Sequence, residues 1–206
     1  MFWRSWTPLD GERRAFAWDA QHEYWGDLQF QVDALADGEL PLWNPHDRLG
    51  YPFFTDPQTG TLYPPQWPLI GIAAASGHTG WELISVKVIL HFFIVALGMF
   101  AYLRHRGLPD IACYLGSAVV VTSYPHLHNG FSALNWSYAW VPWWLWAAEV
   151  WIARPRWPSA LALAVTTSLA ALAGGWAGFW YGLLVVAPLA VLAMVTTWRA
   201  TAADQR

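Results

Sequence analysis

The run Leu83–Leu103, LISVKVILHFFIVALGMFAYL, holds 21 residues, and Lys87 and His91 are its polar interruptions of any size. At about 1.5 Å of rise per residue, a helix of this length crosses a hydrocarbon layer of about 30 Å. Such a segment must either be wrapped in a large core or lie in a bilayer. Composition favours the bilayer: the chain is 56% hydrophobic and 12% charged, against about 25% charged in average soluble domains.

Four further apolar segments follow. After the RHRG turn, Pro109 and Asp110 form a helix start, and IACYLGSAVVVTSY runs on to Tyr124. A third segment, about Trp136 to Ala153, carries Pro142 and Glu149 and ends at Arg154 and Arg156. Pro158 opens a fourth that continues to Gly174 and Gly175; a fifth, about Gly178 to Trp198, holds Pro188 and closes at Arg199. The expected fold is all-α, a multi-pass helical membrane protein with about five transmembrane helices over residues 81–199 and a cytoplasmic tail at 200–206. Arg104 and Arg106, Arg154 and Arg156, and Arg199 and Arg206 occupy alternate connections, and those between them have no Lys or Arg. The positive-inside rule puts the arginines in the cytoplasm and residues 1–80 outside.

Residues 1–80 form a separate, acidic region, with ten of the 14 acidic residues of the chain against four arginines. Its start, MFWRSWTPLDGERR, has no apolar core of signal-peptide length. An outward segment this long needs a span or signal before it, so the chain is expected to start further upstream or to be part of a longer protein. Trp18 to Asp37 reads as an amphipathic helix with Trp25, Leu28, Val32 and Leu35 on one face, Asp27, Asp33 and Asp37 turned away, and Gly38 ending it. Pro68 to Ala75 is apolar but too short to span, which suits an interfacial or re-entrant piece. Cys113, the single cysteine, allows no intrachain disulfide or thiolate cluster. No nucleic-acid or soluble-cofactor motif is visible.

Between the helix and the first span lies LWNPHDRLGYPFFTDPQTGTLYPP, Leu42 to Pro65. Its prolines exclude regular helix, so the backbone must be held by side chains. Trp43, Tyr51, Phe53, Phe54 and Tyr63 supply that hold by packing on one another or on the bilayer interface. Asn44, Asp47, Asp56 and Gln58 remain as the polar groups of a rigid loop. Long loops without secondary structure are uncommon and tend to be functional or disordered, and the aromatic content argues against disorder.

AWDAQHEYW, a helix of about 20 residues, and then DGELPLWNPHDRLGYPFFTDPQTGTLYPPQWPL together resemble the first extracytoplasmic loop of the YfhO family of bacterial membrane proteins. That family is similar to the GT-C class of glycosyltransferases, multi-pass proteins that take sugar from a polyprenyl-phosphate carrier on the outer face of the membrane. The resemblance covers about residues 16 to 70 by motif and the spans by topology alone. Asp19, with Gln21 beside it, stands where the family has an acidic residue soon after its first span. Gly38 to Pro45, Gly50 to Pro52 and Asp56 to Pro65 match its further elements. The family's first span is missing here, and its members continue for many more spans.

The resemblance implies sugar transfer from a polyprenyl-phosphate-linked sugar to a cell-envelope glycan acceptor, at the bacterial cytoplasmic (inner) membrane. Single displacement needs a carboxylate to take the acceptor's proton, and Asp19 is the candidate, with Gln21 and Asp56 beside it in the catalytic set. The phosphate charge would be met by Arg48, by Lys87, or by a divalent metal ion held by Asp19 and Asp56. Asn44, Gln58, His126 and His128 complete the expected substrate contacts. Each has a plainer role: Asp19 as a helix cap, Asp56 as a turn residue before Pro57, Arg48 as a surface charge, Lys87 snorkelling to the interface. His126 and His128 form an H-x-H pair that lacks a third ligand in sequence and serves as well for hydrogen bonding. Glu149 is expected to pair with Arg154 or to be solvated. The alternatives to an enzyme are a non-catalytic fragment or accessory membrane protein, or a lipid or polysaccharide transporter.

Overall fold

The structure is a computed structural model, and it describes residues 23–77, 80, 82–123 and 133–204. Among these residues it is helical, with one isolated antiparallel bridge between Asn44 and Tyr51. The helices are α1 (Trp25–Ala36), α2 (Trp67–Ser76), α3 (Glu82–His105), α4 (Asp110–Val121), α5 (Ala133–Tyr138), α6 (Val141–Ala153), α7 (Trp157–Leu172) and α8 (Trp176–Asp204). Three single 3-10 turns, Phe53–Thr55, Pro57–Thr59 and Pro64–Gln66, punctuate the loop between α1 and α2.

Two of these helices are long and apolar enough to cross a membrane: α3, at 24 residues, and Trp176–Thr196 within α8. The expected second and fourth spans are the shorter apolar helices α4 and α7, of 12 and 16 residues. The expected third span is broken into α5 and α6 by a turn at Ala139 and Trp140, and Pro142 enters α6 where a missing N–H costs nothing.

Within the expected amphipathic helix, the described part is α1, and residues 18–22 lie outside the described residues. Leu28 and Val32 are buried as expected, but Gln31 is buried with them and Leu35 is 48% exposed. Gly38, at φ +74°, ends α1: its N–H reaches Leu35 O at 3.1 Å, and Glu39 N reaches Ala34 O at 2.8 Å. Those two bonds satisfy carbonyls that the helix end would leave open. Pro68–Ala75 lies in the ten-residue α2, too short to span.

Two cores result. In the bundle, Val141, Trp144, Leu145 and Ala148 of α6 pack with Ala170 of α7 and Val186 of α8. In the other, Tyr24, Leu28 and Val32 meet Tyr63, Ile70 and Ala73 on one side, and Ile84, Val88, Trp136 and Ala173 on the other. This second core fastens α1, the loop and α2 onto one end of the bundle. The α7–α8 link lies at that same end: bare Gly174 faces the loop so closely that a Cβ there would come within 2.9 Å of Pro57 O. Away from it, Arg106 on the α3–α4 link pairs with Glu149 of α6 at 3.2 Å, in place of the expected pairing with Arg154 or solvation. The Tyr102 hydroxyl also donates to Glu149, at 3.4 Å.

Candidate functional site

Glu23, Asp27 and Gln31 recur every four residues, so a helix sets them along one face. A like-charged pair at that spacing is unfavourable by itself, and what covers it is the loop folding back. The Asn44 and Tyr51 backbones bond each other in both directions at 3.0 Å, closing a turn around Arg48 and Leu49. Both take left-handed backbone, φ 52° and 62°, at a cost of about 1 kcal/mol each. The Asn44 side chain accepts from His46 N at 2.9 Å and stiffens the turn.

The turn aims the Tyr51 hydroxyl at α1, where it donates to Asp27 Oδ1 at 3.2 Å. Arg48 reaches Glu23 at 2.9 Å, Asp56 at 3.5 Å and Asp47 at 3.6 Å. Its guanidinium also lies over the Tyr51 ring, 5.0 Å from the centroid. Between α1 and the turn lies an open cleft of about 240 Å³ lined by Glu23, Asp27, Phe30, Asp33, Asn44 and Asp47, among others.

Asp27, like Glu23, is a half-buried carboxylate of this cleft. Burial pushes its pKa up to about 7; the Tyr51 hydrogen bond works against that rise, Asp56 and Glu23 add to it, and Lys87 opposes it. Burial, followed by the neighbouring Asp27, holds the Tyr51 phenol above its ordinary value, so Tyr51 stays a donor at any physiological pH.

Beneath the cleft is a buried polar chain. Gln31 Nε2 donates to Thr59 O at 2.9 Å; Gln66 Nε2 donates to Gln31 Oε1 at 3.0 Å and to Thr59 O at 3.1 Å. Lys87 Nζ donates to Gln66 Oε1 and stands 3.3 Å from the centroid of the Trp136 ring. His91 Nδ1 lies 2.6 Å from Lys87 O, which can only accept, so Nδ1 carries a proton. In the neutral ring, His91 Nε2 then accepts from the Tyr63 hydroxyl at 2.9 Å, and that oxygen accepts from Trp140 Nε1 at 2.8 Å. Burial holds the Tyr63 phenol above its ordinary value. These bonds tie α1 and the loop to α3 and to the entry of α6.

The expected site residues are therefore dispersed. Asn44 lines the cleft. Arg48 stands at its edge, shared among three carboxylates. Asp56 caps the Pro57–Thr59 turn by accepting from Gln58 N at 2.9 Å, the plainer of its two roles. Gln58 is exposed and sits toward Gly174. Lys87 is 2% exposed, inside the protein under Gln66, and does not reach the cleft surface or snorkel. Asp19, Gln21, His126 and His128 lie outside the described residues. Among the described residues no three His, Cys, Asp or Glu are placed to hold a metal; of the two residues expected to hold a divalent ion, Asp19 lies outside the described residues and Asp56 accepts from Gln58 N and pairs with Arg48.

The sequence pattern turns Asp27 to solvent and gives Tyr51 only a packing role, and it carries no expectation for Gln31 or Gln66. The available signal was the polar Gln31 on the buried stripe with Leu28 and Val32, together with the unfavourable spacing of Glu23 and Asp27. No family model, no curated protein and no solved structure matches the chain.

Proposed function

We propose that this chain is a multi-pass membrane protein of about five spans, related to the YfhO family. It transfers a sugar from a polyprenyl-phosphate carrier to a glycan acceptor at the outer face of the bacterial cytoplasmic membrane. The observation that carries this reading is the half-buried Asp27 carboxyl, held by Tyr51 in an open cleft at one end of an apolar bundle.

The membrane part draws on what the long helices leave uncovered. The apolar windows of α3 and α8 are 33% and 17% buried, whereas a core helix of a soluble protein is mostly covered. Phe93, Leu97, Val119, Leu184 and Leu192 are each 58% exposed or more. So much uncovered apolar surface suits lipid contact. In this reading α4, α5 with α6, and α7 are the shorter spans.

In the reaction, an acceptor hydroxyl attacks the anomeric carbon of the carrier-linked sugar. The bond from that carbon to the phosphate oxygen breaks, and the phosphate leaves with the electron pair. Asp27 takes the hydroxyl proton, and a carboxyl with a pKa near operating pH is well matched to that task. Glu23, Asp33 and Asp47 share the cleft, and their charge repels a phosphate. The cleft is therefore the acceptor side, and the carrier phosphate lies beyond it.

The test is transfer by the full chain in liposomes supplied with a panel of polyprenyl-phosphate monosaccharides. Asp27→Asn is expected to lower the rate by about 100-fold or more while the thermal midpoint stays within a few degrees of wild type. Wild-type transfer by that variant would overturn the assignment; if Asp19→Asn then abolished transfer, the base would be Asp19.

A further inference from the structure

We infer that Tyr51 is the positioning residue of the cleft, fixing the Asp27 carboxylate through its hydroxyl while the Asn44–Tyr51 turn and Arg48 fix Tyr51 itself. The role of Asp27 as base rests on the function proposed above; the hydrogen bond and its effect on Asp27 do not.

Three independent contacts converge on this tyrosine. Its backbone is bonded in both directions to Asn44, its ring lies under the Arg48 guanidinium, and its ring also packs against Phe53, which is fully buried, at 5.8 Å between centroids. A side chain held at backbone and ring has little freedom in its hydroxyl position, so the 3.2 Å bond to Asp27 is preorganised. The left-handed backbone at Arg48 and Leu49 is what closes the turn tightly enough to bring Tyr51 over α1.

The chemical consequence is selective support of the ionised carboxylate. A phenol donates to the carboxylate more strongly than to the neutral acid, so it holds down a proton affinity that other neighbours raise. Those neighbours are Asp56 at the Pro57–Thr59 turn and Glu23 just before α1, while Lys87 on α3 acts in the same direction as the phenol. Asp33, His46 and Asp47 also line the cleft, and Arg48 faces the Tyr51 ring. Without the phenol, Asp27 would be more fully protonated at neutral pH and a poorer base.

The test is a carboxyl 13C NMR titration of the full chain in nanodiscs with labelled aspartate, the Asp27 signal being assigned by its loss in Asp27→Asn. Tyr51→Phe, which keeps the ring, is expected to move the Asp27 midpoint to higher pH by about 0.5 to 1 pH unit. Replacing Tyr51 by 3-fluorotyrosine, a more acidic phenol of nearly the same shape, is expected to move it lower, and serves even if Tyr51→Phe folds poorly. Tyr63→Phe, which removes a buried hydroxyl with no contact to Asp27, is the control and should leave the midpoint in place. An unmoved midpoint with both Tyr51 replacements, or an equal shift in the control, would overturn the inference. The titration needs no substrate, so it stands or falls apart from transfer: shifted midpoints in a protein without transferase activity would keep the positioning role and remove the proposed function.

Discussion

Asp27 links charge to stability as well as to chemistry. Its carboxyl binds a proton more tightly in the folded protein, at about 7, than at the ordinary value of 3.8. Between those values the folded state holds more protons than the unfolded one, so stability falls as pH rises through the window. The contribution is complete below about pH 4 and gone once pH has passed well above 7. A series of thermal midpoints between pH 5 and pH 8 should therefore decline in the wild type, and the decline should be smaller in Asp27→Asn; equal slopes would remove Asp27 as its source. Little of this was legible in the sequence. The spacing of Glu23 and Asp27 is local, but the group that bonds Asp27 is Tyr51, 24 residues on, and its reach depends on the turn at Arg48 and Leu49. Asp56 was more legible, because an aspartate before proline caps its own turn by local bonds.

Helices were legible where hydrophobic length and end signals agreed. α3 falls within two residues of its expected limits, and α8 extends beyond the expected segment at both ends, to Trp176 and Asp204. The composition of the third segment does not change at Ala139 and Trp140, so its sequence gives no sign of a break. The break comes from packing: Trp140 bonds Tyr63, and Ser137 Oγ accepts from Gly175 N at 2.9 Å. Helix contacts are tight enough to be tested singly. Trp143 of α6 lies across Gly98 of α3 and donates to Ile94 O at 2.8 Å, and a Cβ at Gly98 would come within 2.5 Å of its ring. Gly98→Ala is expected to cost about 1 to 3 kcal/mol, as overpacking does, read as a lower thermal midpoint in detergent. Adding Trp143→Leu should restore part of the loss, because the two changes share one contact. Strict additivity would mean that α3 and α6 do not meet there.

At the scale of the whole molecule, the loop region is a folded cap on one end of the bundle. Its core joins Leu28 and Val32 of α1 to Tyr63, Ile84, Trp136 and Ala173, so the cap and the bundle share buried residues. That the loop would be rigid and aromatic was legible from its prolines and rings; that it would be sewn down by Gln31, Gln66 and Lys87 was not, since each contact joins residues at least 21 positions apart or lies within an irregular turn. The role of Asp27 as the base of the transfer requires that this cap face the outside of a membrane. The direct measurement is labelling with a membrane-impermeant maleimide in spheroplasts, on a Cys113→Ala background. Leu49, at 105% exposure, marks the cap as Leu49→Cys, and the exposed Pro155, between Arg154 and Arg156, marks the other end as Pro155→Cys. The expected result is labelling of Leu49→Cys in intact spheroplasts and of Pro155→Cys only after lysis. The reverse pattern, or recovery of the protein in the soluble fraction, would contradict an outward-facing cleft.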